Sequence, residues 1–300
     1  MKKAFIQLHI AVLLAGLTGI LGKLITLNEG LLVWYRLGIS AVTLWILALV
    51  SRQAIRVGGR DIARIFGVGC IAALHWVCFF GSIKYSNVSV GLLCFSTIGF
   101  FTALLEPLIF RHRVDFVELL LGLMAVVGVA FIFQVDPHYK TGILIGLASA
   151  LLGSLFPVLN RRILRRVSAP TVTLYQLTGG FLFLCVLMPV YLHVFPTHEL
   201  VPGPKSWVWL LVLSWLCTVL AVNLSMSALE RISAFTVNLS YNLEPVYGIL
   251  LAFVVFREDR QMNAGFYIGF FWILLSIVLQ MARLWRRRLK ETGRNATSRG

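Results

Sequence analysis

The sequence predicts an all-α integral membrane protein with ten transmembrane helices. Of its 300 residues, 59% are hydrophobic and 13% are charged, and the mean hydropathy is +0.87, whereas soluble domains carry about 25% charged residues. Nearly the whole chain divides into apolar runs of roughly 20 residues, the length at which a helix crosses a hydrocarbon core. The runs lack the period-two alternation of lipid-facing strands, which favours helices over a barrel.

Each apolar run is interpreted as one transmembrane helix, and the connections between runs are short. The first run follows Met1-Lys2-Lys3 and resembles a signal peptide. It is too long for one and lacks a cleavage site, so we interpret it as a retained span. The predicted spans are 5–26, 31–51, 63–83, 87–110, 116–135, 142–161, 171–194, 207–229, 233–256 and 263–283.

Basic residues are concentrated in alternate connections. If the amino terminus is cytoplasmic, the cytoplasmic segments hold 20 of the 27 lysines and arginines. The positive-inside rule then places both chain ends in the cytoplasm, which predicts a multi-pass protein of the plasma (inner) membrane. We expect the basic loops and tail to contact anionic membrane lipids. Because the net charge of +15 is distributed in this way, we do not predict binding to nucleic acid.

Ten spans divide into two halves of five, and an odd number per half forces the second half to cross the membrane in the opposite sense. The charges of equivalent loops exchange accordingly. The loop after span 2 is rich in arginine and its counterpart after span 7 is not, whereas the loop after span 1 has no basic residue and its counterpart after span 6 is rich in arginine. A shift of 146 residues also aligns Phe110-Arg111 with Phe256-Arg257. We therefore predict two inverted five-helix repeats, 1–137 and 138–283, followed by a basic cytoplasmic tail, 284–300. This architecture is typical of secondary transporters.

Several local patterns carry a resemblance to a known family. They are the small residues of the first span, Tyr35-Arg36 at the start of the second, and Glu244-Pro245-Val246 followed by Phe256-Arg257-Glu258. With them the chain resembles the EamA family of the drug/metabolite transporter superfamily. The first half departs from the pattern, with Ile98-Gly99 at the proline position and His112 at the acidic one. The resemblance implies inverted five-helix repeats and transport of small metabolites, often outward, and leaves the substrate open.

Glu244 lies near the middle of the predicted ninth span. An ionised side chain at that depth costs about 2.5–3.5 kcal/mol on insertion scales, so it should not face lipid. Helical spacing places Ser240, Glu244 and Tyr247 on one stripe and Tyr241 and Asn242 on an adjoining one. These groups form a predicted lining for a polar solute, in which Glu244 either holds an ammonium group or takes up and releases a proton. The alternative is a carboxyl group used for helix packing.

Arg36 lies in the predicted second span, near its outer end. It either reaches the outer headgroups or faces the cavity, where a guanidinium group would bind a carboxylate or phosphate. Arg36 and Glu244 together would suit a zwitterion such as an amino acid, unless the two simply pair. Three further side chains are predicted cavity ligands: His75, Gln176 and Asn223. For His75, ordinary packing is the alternative.

Glu106 precedes Pro107, as Glu244 precedes Pro245, but it lies close to a predicted cytoplasmic end. We therefore expect it to pair with Arg111 or Arg113 rather than to line the cavity.

These observations favour a secondary transporter of small polar or amphipathic metabolites. The five cysteines all lie in spans, without a CxxC pair or a histidine cluster at metal-ligand spacing, and no Walker motif occurs, so no cofactor or metal is predicted. The motifs G-x-S-x-G and H-E-x-x-H are absent, which argues against an enzyme. The expected partners are a small-molecule solute and protons. Alternatives are a lipid flippase of the same superfamily, an intramembrane enzyme and a scaffold.

Overall fold

The computed structural model describes residues 2–52, 57–111, 113–135, 137–232, 237, 240–241 and 243–297, and their regular structure is helical. In chain order the α-helices are α1 (Lys2–Leu24), α2 (Glu29–Val50), α3 (Gly59–Tyr85), α4 (Val88–Phe95), α5 (Ile98–Phe110), α6 (Phe116–Val135), α7 (Lys140–Ile163), α8 (Ala169–Val194), α9 (Pro204–Ser214), α10 (Ala221–Leu229), α11 (Glu244–Phe256) and α12 (Ala264–Thr297). A π-helical segment, Trp215–Leu220, joins α9 to α10.

The prediction of membrane-crossing helices is confirmed for eight stretches of described residues, each long and apolar enough to span a bilayer. The two remaining predicted spans, 116–135 and 233–256, correspond to shorter apolar helices, Phe116–Ile132 and Glu244–Phe256. The predicted tail continues α12 as a helix up to Thr297.

The predicted span 87–110 is not one continuous helix, because it breaks between α4 and α5. Ser96 Oγ donates to the carbonyl of Leu93 at 2.5 Å, and Thr97 Oγ1 donates to the carbonyl of Cys94 at 2.7 Å. Hydroxyl groups that bond nearby carbonyls compete with the helical backbone pattern. The break is therefore encoded by two hydroxyl residues in an otherwise apolar run.

Several pairs of long helices pack antiparallel. Between α3 and α7, Ser82 Oγ donates to the Gly142 carbonyl at 2.7 Å. About two turns away along the same pair of helices, His75 contacts Ser149. The helix α2 packs on α8, and α6 packs on α12. The helix α1 packs on both α10 and α11. These contacts bring residues from both halves of the chain around one centre.

The crossing of α6 and α12 is made by backbone against backbone. A Cβ on Gly269 would fall on the carbonyl oxygen of Gly128, and a Cβ on Gly128 would come 2.7 Å from the carbonyl oxygen of Gly269. Ser276 Oγ donates to the Leu121 carbonyl at 2.6 Å, further along the same pair. Small residues permit such close helix packing in membranes.

One buried carboxylate joins three elements at the end of α1. Glu258 has no exposed surface. It accepts hydrogen bonds from Lys23 Nζ at 2.7 Å, from the Ser89 backbone at 2.9 Å and from Ser89 Oγ at 2.7 Å. Burial by itself would raise the pKa of this carboxyl group, but the bonds from Lys23 and Ser89 and the charge of Lys23 outweigh it, so the pKa lies below its ordinary value.

The helices α5 and α11 have matching geometry. Each is 13 residues long, and each ends at an arginine in the left-handed region, Arg111 with φ 55° and Arg257 with φ 54°. Their first residues, Ile98 and Glu244, stand 146 positions apart in the sequence, the same shift that aligns the two halves. Non-glycine residues seldom adopt positive φ, so the shared ending is a specific similarity between α5 and α11.

Candidate functional site

A central cavity of about 110 Å³ lies among helices of both halves, with room for several water molecules or part of a small solute. Its polar lining comes from six different helices and one isolated helical residue, Tyr241. The polar lining residues are Thr18, Arg36, His75, Gln176, Ser225, Tyr241 and Glu244. The larger apolar residues of the wall are Trp76, Phe79, Phe95, Ile98, Phe156 and Met226.

Arg36 lines this cavity rather than reaching the headgroups, and its residue surface is only 2% exposed. Its Nε donates to Thr218 Oγ1 at 2.6 Å, and its Nη2 donates to the Cys217 carbonyl at 3.3 Å. The guanidinium carbon lies 4.5 Å from the centre of the Trp76 ring, within cation–π range. Its Nη1 is buried and has no hydrogen-bond partner among the residues that the structure describes.

The π-helical segment Trp215–Leu220 supplies the partners of Arg36. In this segment Thr218 Oγ1 donates to the carbonyl of Leu213, five residues earlier, at 2.8 Å. Because the single hydroxyl hydrogen is used there, the oxygen accepts from Arg36. The carbonyl of Cys217 is likewise free to accept from Arg36. Single π turns inside α-helices often occur at functional sites, and here the π turn holds the buried cation.

Glu244 begins α11 and is 6% exposed. Its carboxylate makes no hydrogen bond or ion pair with any residue that the structure describes, and no nitrogen of Arg36 lies within 4.0 Å of it. Arg36 nevertheless acts on it electrostatically across the cavity. The first turn of a helix also favours a negative charge, since the backbone N–H groups there point towards it.

His75 presents its ring to the same cavity from α3. Its Nδ1 lies 2.9 Å from the carbonyl oxygen of Ser149, and the Ser149 hydroxyl donates to the His75 carbonyl at 3.2 Å. Since a carbonyl oxygen only accepts, Nδ1 must carry a hydrogen. In the neutral ring Nε2 is therefore the atom able to accept a proton. The ring centre of Phe95 is 5.2 Å away.

Gln176 lines the cavity from α8, where it is oriented by a second amide. Asn160 Nδ2, on α7, donates to Gln176 Oε1 at 2.9 Å. Asn160 is fully buried, and Gln176 is 2% exposed. Because its oxygen is already engaged, Gln176 offers its NH₂ group to a solute.

The structure thus gathers five of the predicted site residues around one cavity: Glu244, Arg36, Tyr241, His75 and Gln176. Three others lie off its wall. Asn223 donates to the carbonyl of Val219 in its own helical turn at 2.8 Å. Tyr247 packs against α1 at Gly16, and Ser240 is half-buried without lining the cavity. Asn242 lies outside the described residues.

Sequence reasoning missed several members of the wall. Thr218 and Asn160 were not singled out, although they hold Arg36 and Gln176 in place. Trp76 and Phe95 are aromatic residues in apolar spans, and nothing in their sequence context separates a cavity wall from lipid-facing surface. Glu106 was expected to pair with Arg111 or Arg113, and this was wrong: it accepts from Arg161 Nη1 at 2.8 Å.

The profile of the EamA-like transporter family matches residues 2–134 and, a second time, residues 140–282. The chain belongs to the EamA-like transporter family. The resemblance seen in the sequence is thereby confirmed, and membership supports a multi-pass membrane location and a role in membrane transport.

Relatives of this EamA family member carry transporter names. It is 24% identical over 211 residues to an uncharacterized transporter, sll1164, of a Synechocystis strain, a match that covers 67% of this chain and 59% of that protein. It is 22% identical over 272 residues to the uncharacterized transporter YetK of Bacillus subtilis, covering 86% of this chain and 81% of that protein. A solved structure, described only as the crystal structure of a protein, matches with a TM-score of 0.66 at 18% identity, covering 96% of this chain and 99% of the other, which shows the fold.

Proposed function

We propose that this EamA family member is a secondary transporter that exports a small amphipathic metabolite, such as an amino acid or a related solute. The observation that carries the proposal is the relation of Arg36 to Glu244. Both line the central cavity, one from each half of the chain, and no salt bridge joins them. A buried ion pair would neutralise itself, whereas two separated opposite charges favour a ligand that carries both.

The individual groups fit a zwitterion. Arg36 Nη1 is a buried donor without a partner in the described part of the chain, and a guanidinium group is suited to a carboxylate. Glu244 would face the ammonium group. The rest of the wall is mainly apolar and aromatic, and Trp76 and Phe95 belong to it. Specificity in such pockets comes from a few polar groups in an apolar cavity, which favours an amphipathic solute over a strongly polar one.

The proposed mechanism is alternating access between two inverted five-helix repeats, 1–137 and 138–283. We place the protein in the plasma (inner) membrane with both ends of the chain in the cytoplasm. Three observations support it. The family profile matches twice, α5 and α11 agree in length and ending, and their first residues, Ile98 and Glu244, both line the cavity. Broken helices at the substrate site are typical of such transporters.

Protons are the proposed coupling ion. Glu244 can bind a proton when the cation of the solute is absent, and His75 Nε2 offers a second acceptor in the same cavity. For coupling, the solute and the proton must bind the two facing states unequally. Competition between an ammonium group and a proton for one carboxylate provides such a link.

The test is uptake of labelled amino acids into proteoliposomes under an imposed proton gradient. We expect Glu244→Gln to abolish transport or to uncouple it from the gradient, with unchanged folding. The matched control is Glu106→Gln, which alters the other Glu-Pro pair of the chain, away from the cavity. Transport by Glu244→Gln with undiminished rate and pH dependence would refute the proposal.

A further inference from the structure

A second cavity, the α3–α7 groove, lies between the beginning of α3 and the end of α7. Its volume is about 460 Å³, and it shares no lining residue with the central cavity. Asp61 and Arg64 line it from α3, and Arg162 and Arg166 line it from the end of α7 and the segment that follows. No step of the proposed transport mechanism uses these residues.

The groove has a cationic rim. Arg64 donates to Asp61 at 3.0 Å, and 59% of the Arg64 side chain is exposed. Arg162 and Arg166 are exposed, and their side chains make no hydrogen bond or ion pair with any residue that the structure describes. Three guanidinium groups face one carboxylate, so two positive charges remain. Guanidinium groups bind phosphate bidentately with charge-assisted hydrogen bonds, which makes phosphate the best-matched ligand group.

The remaining wall of the groove is apolar. It is formed by Gly67, Val68, Ile71, Leu159 and Ile163. A Cβ added at Gly67 would meet no other atom within 4 Å, so the groove is open there. Along α3 the lining passes from Arg64 to Ile71, a rise of about 10 Å at 1.5 Å per residue. The groove therefore changes from charged to apolar as α3 enters the membrane.

We infer that the α3–α7 groove binds one anionic phospholipid. Its phosphate lies on Arg162, Arg166 and Arg64, and an acyl chain follows the opening at Gly67 into the hydrocarbon. A free phosphate ion would use the rim and leave the apolar wall unused, whereas a lipid matches both ends of the groove. Basic pockets between transmembrane helices are a recurrent form of acidic headgroup site.

The experiment measures lipid binding rather than transport. Native mass spectrometry of the full-length protein in detergent compares phosphatidylglycerol with phosphatidylcholine of the same acyl chains. We expect the wild type to retain phosphatidylglycerol selectively. The pair Arg162→Gln and Arg166→Gln should weaken this binding about 30-fold, since each nearby cation contributes about 1 kcal/mol and 1.4 kcal/mol is tenfold.

The control pair is Arg60→Gln and Arg165→Gln, which removes the same amount of charge near the groove, one residue at the beginning of α3 and one after the end of α7, at positions outside the lining. It should keep the affinity within about threefold, because exposed charges away from the groove are screened by salt. Equal losses in the two pairs would overturn the inference and would show general surface attraction instead.

A second experiment distinguishes a bound lipid from bound free phosphate, and it does not require the arginine variants to fold. Gly67→Leu fills the apolar part of the groove and should reduce phosphatidylglycerol retention severalfold. Millimolar inorganic phosphate should not displace the bound lipid. Displacement by phosphate, together with normal lipid retention by Gly67→Leu, would assign the site to a soluble anion and contradict the inference.

Discussion

Lys23 Nζ donates a hydrogen bond of 2.7 Å to Oε1 of Glu258, although 235 positions separate the two residues in the chain. The same carboxylate binds the backbone of Val88 and Ser89 at the start of α4. The end of α1, the start of α4 and the segment after α11 therefore meet at one buried charge. Loss of Lys23 would leave the fully buried carboxylate of Glu258 without its counter-ion, which is more costly than loss of a surface pair.

We predict that Glu258→Gln lowers the free energy of unfolding by roughly 2 kcal/mol, because it removes the buried carboxylate that accepts hydrogen bonds from Lys23 and Ser89, while Lys23 itself is partly exposed. The pH dependence follows from the lowered pKa of Glu258. A depressed pKa stabilises the folded state fully above the unfolded value of about 4.3 and loses this contribution as the pH falls through the folded value. Thermal unfolding in detergent at a series of pH values measures both effects.

Glu199→Gln is the control, since Glu199 is an exposed acid. It should leave the unfolding temperature nearly unchanged. If Glu258→Gln lost stability with acid as steeply as the wild type between the two pKa values, the role given to its carboxylate would be wrong.

Thr218→Val should weaken solute binding about tenfold, and it also lowers stability because the buried Nε of Arg36 loses its acceptor. Val keeps the shape of Thr but removes the oxygen that accepts from Arg36 Nε at 2.6 Å, and a hydrogen bond to a charged group contributes about 1.5–3 kcal/mol. The measurement is the KM of transport in proteoliposomes. Thr102→Val is the matched control, because that buried hydroxyl bonds only the Ile98 carbonyl of its own helix. Equal KM changes in both variants would contradict a positioning role for Thr218.

Asn160 should act on the solute through Gln176. We predict that Asn160→Ala and Gln176→Ala each reduce transport severalfold, and that the double variant is little worse than either single one. Residues in one hydrogen-bond network show such non-additivity, whereas independent sites add. The initial rates of the four proteins form the double-mutant cycle. Strictly additive losses would show that Asn160 does not orient Gln176.

Gly269→Ala should lower the free energy of unfolding by about 1–3 kcal/mol, the usual cost of overpacking. Its Cβ would fall on the Gly128 carbonyl, and backbone cannot move aside as a flexible side chain can. Gly67→Ala is the control, because no atom lies within 4 Å of the added methyl group. There the better helix propensity of Ala predicts a gain of about 0.5–1 kcal/mol. Equal effects at the two glycines would contradict the close α6–α12 crossing.

The positions of the helices could be predicted from the sequence, because the thickness of the bilayer sets the number of apolar residues that a spanning helix needs. The predicted spans 63–83 and 142–161 became α3 and α7, extended by a few residues at each end. Glu244 and Arg36 were also visible, since an ionisable residue in an apolar run is conspicuous. That the two residues share a cavity could not be predicted, because it depends on how α2 packs beside the π segment. The sequence of a single apolar run does not specify which other helix it packs against.

Other features were hidden for identifiable physical reasons. The break at Ser96-Thr97 contains neither glycine nor proline, and hydroxyl residues in membrane helices more often leave the helix intact. The π segment WLCTVL reads as an ordinary apolar helix. Glu106 pairs with Arg161 rather than with a neighbour in sequence, because tertiary packing brings the end of α7 closer than its own loop.

The π segment has a further consequence for how the chain tolerates insertions and deletions. A π turn accommodates one extra residue without disturbing the helix on either side. Removing one residue between Trp215 and Leu220 would therefore let the turn relax to α-helical geometry while Ser225 and Met226 of α10 keep facing the cavity. A deletion of one codon in the regular part of α9 would instead rotate everything that follows by about 100°, so the π turn is a place where the chain can lose a residue and keep the face that α10 shows to the centre of the molecule.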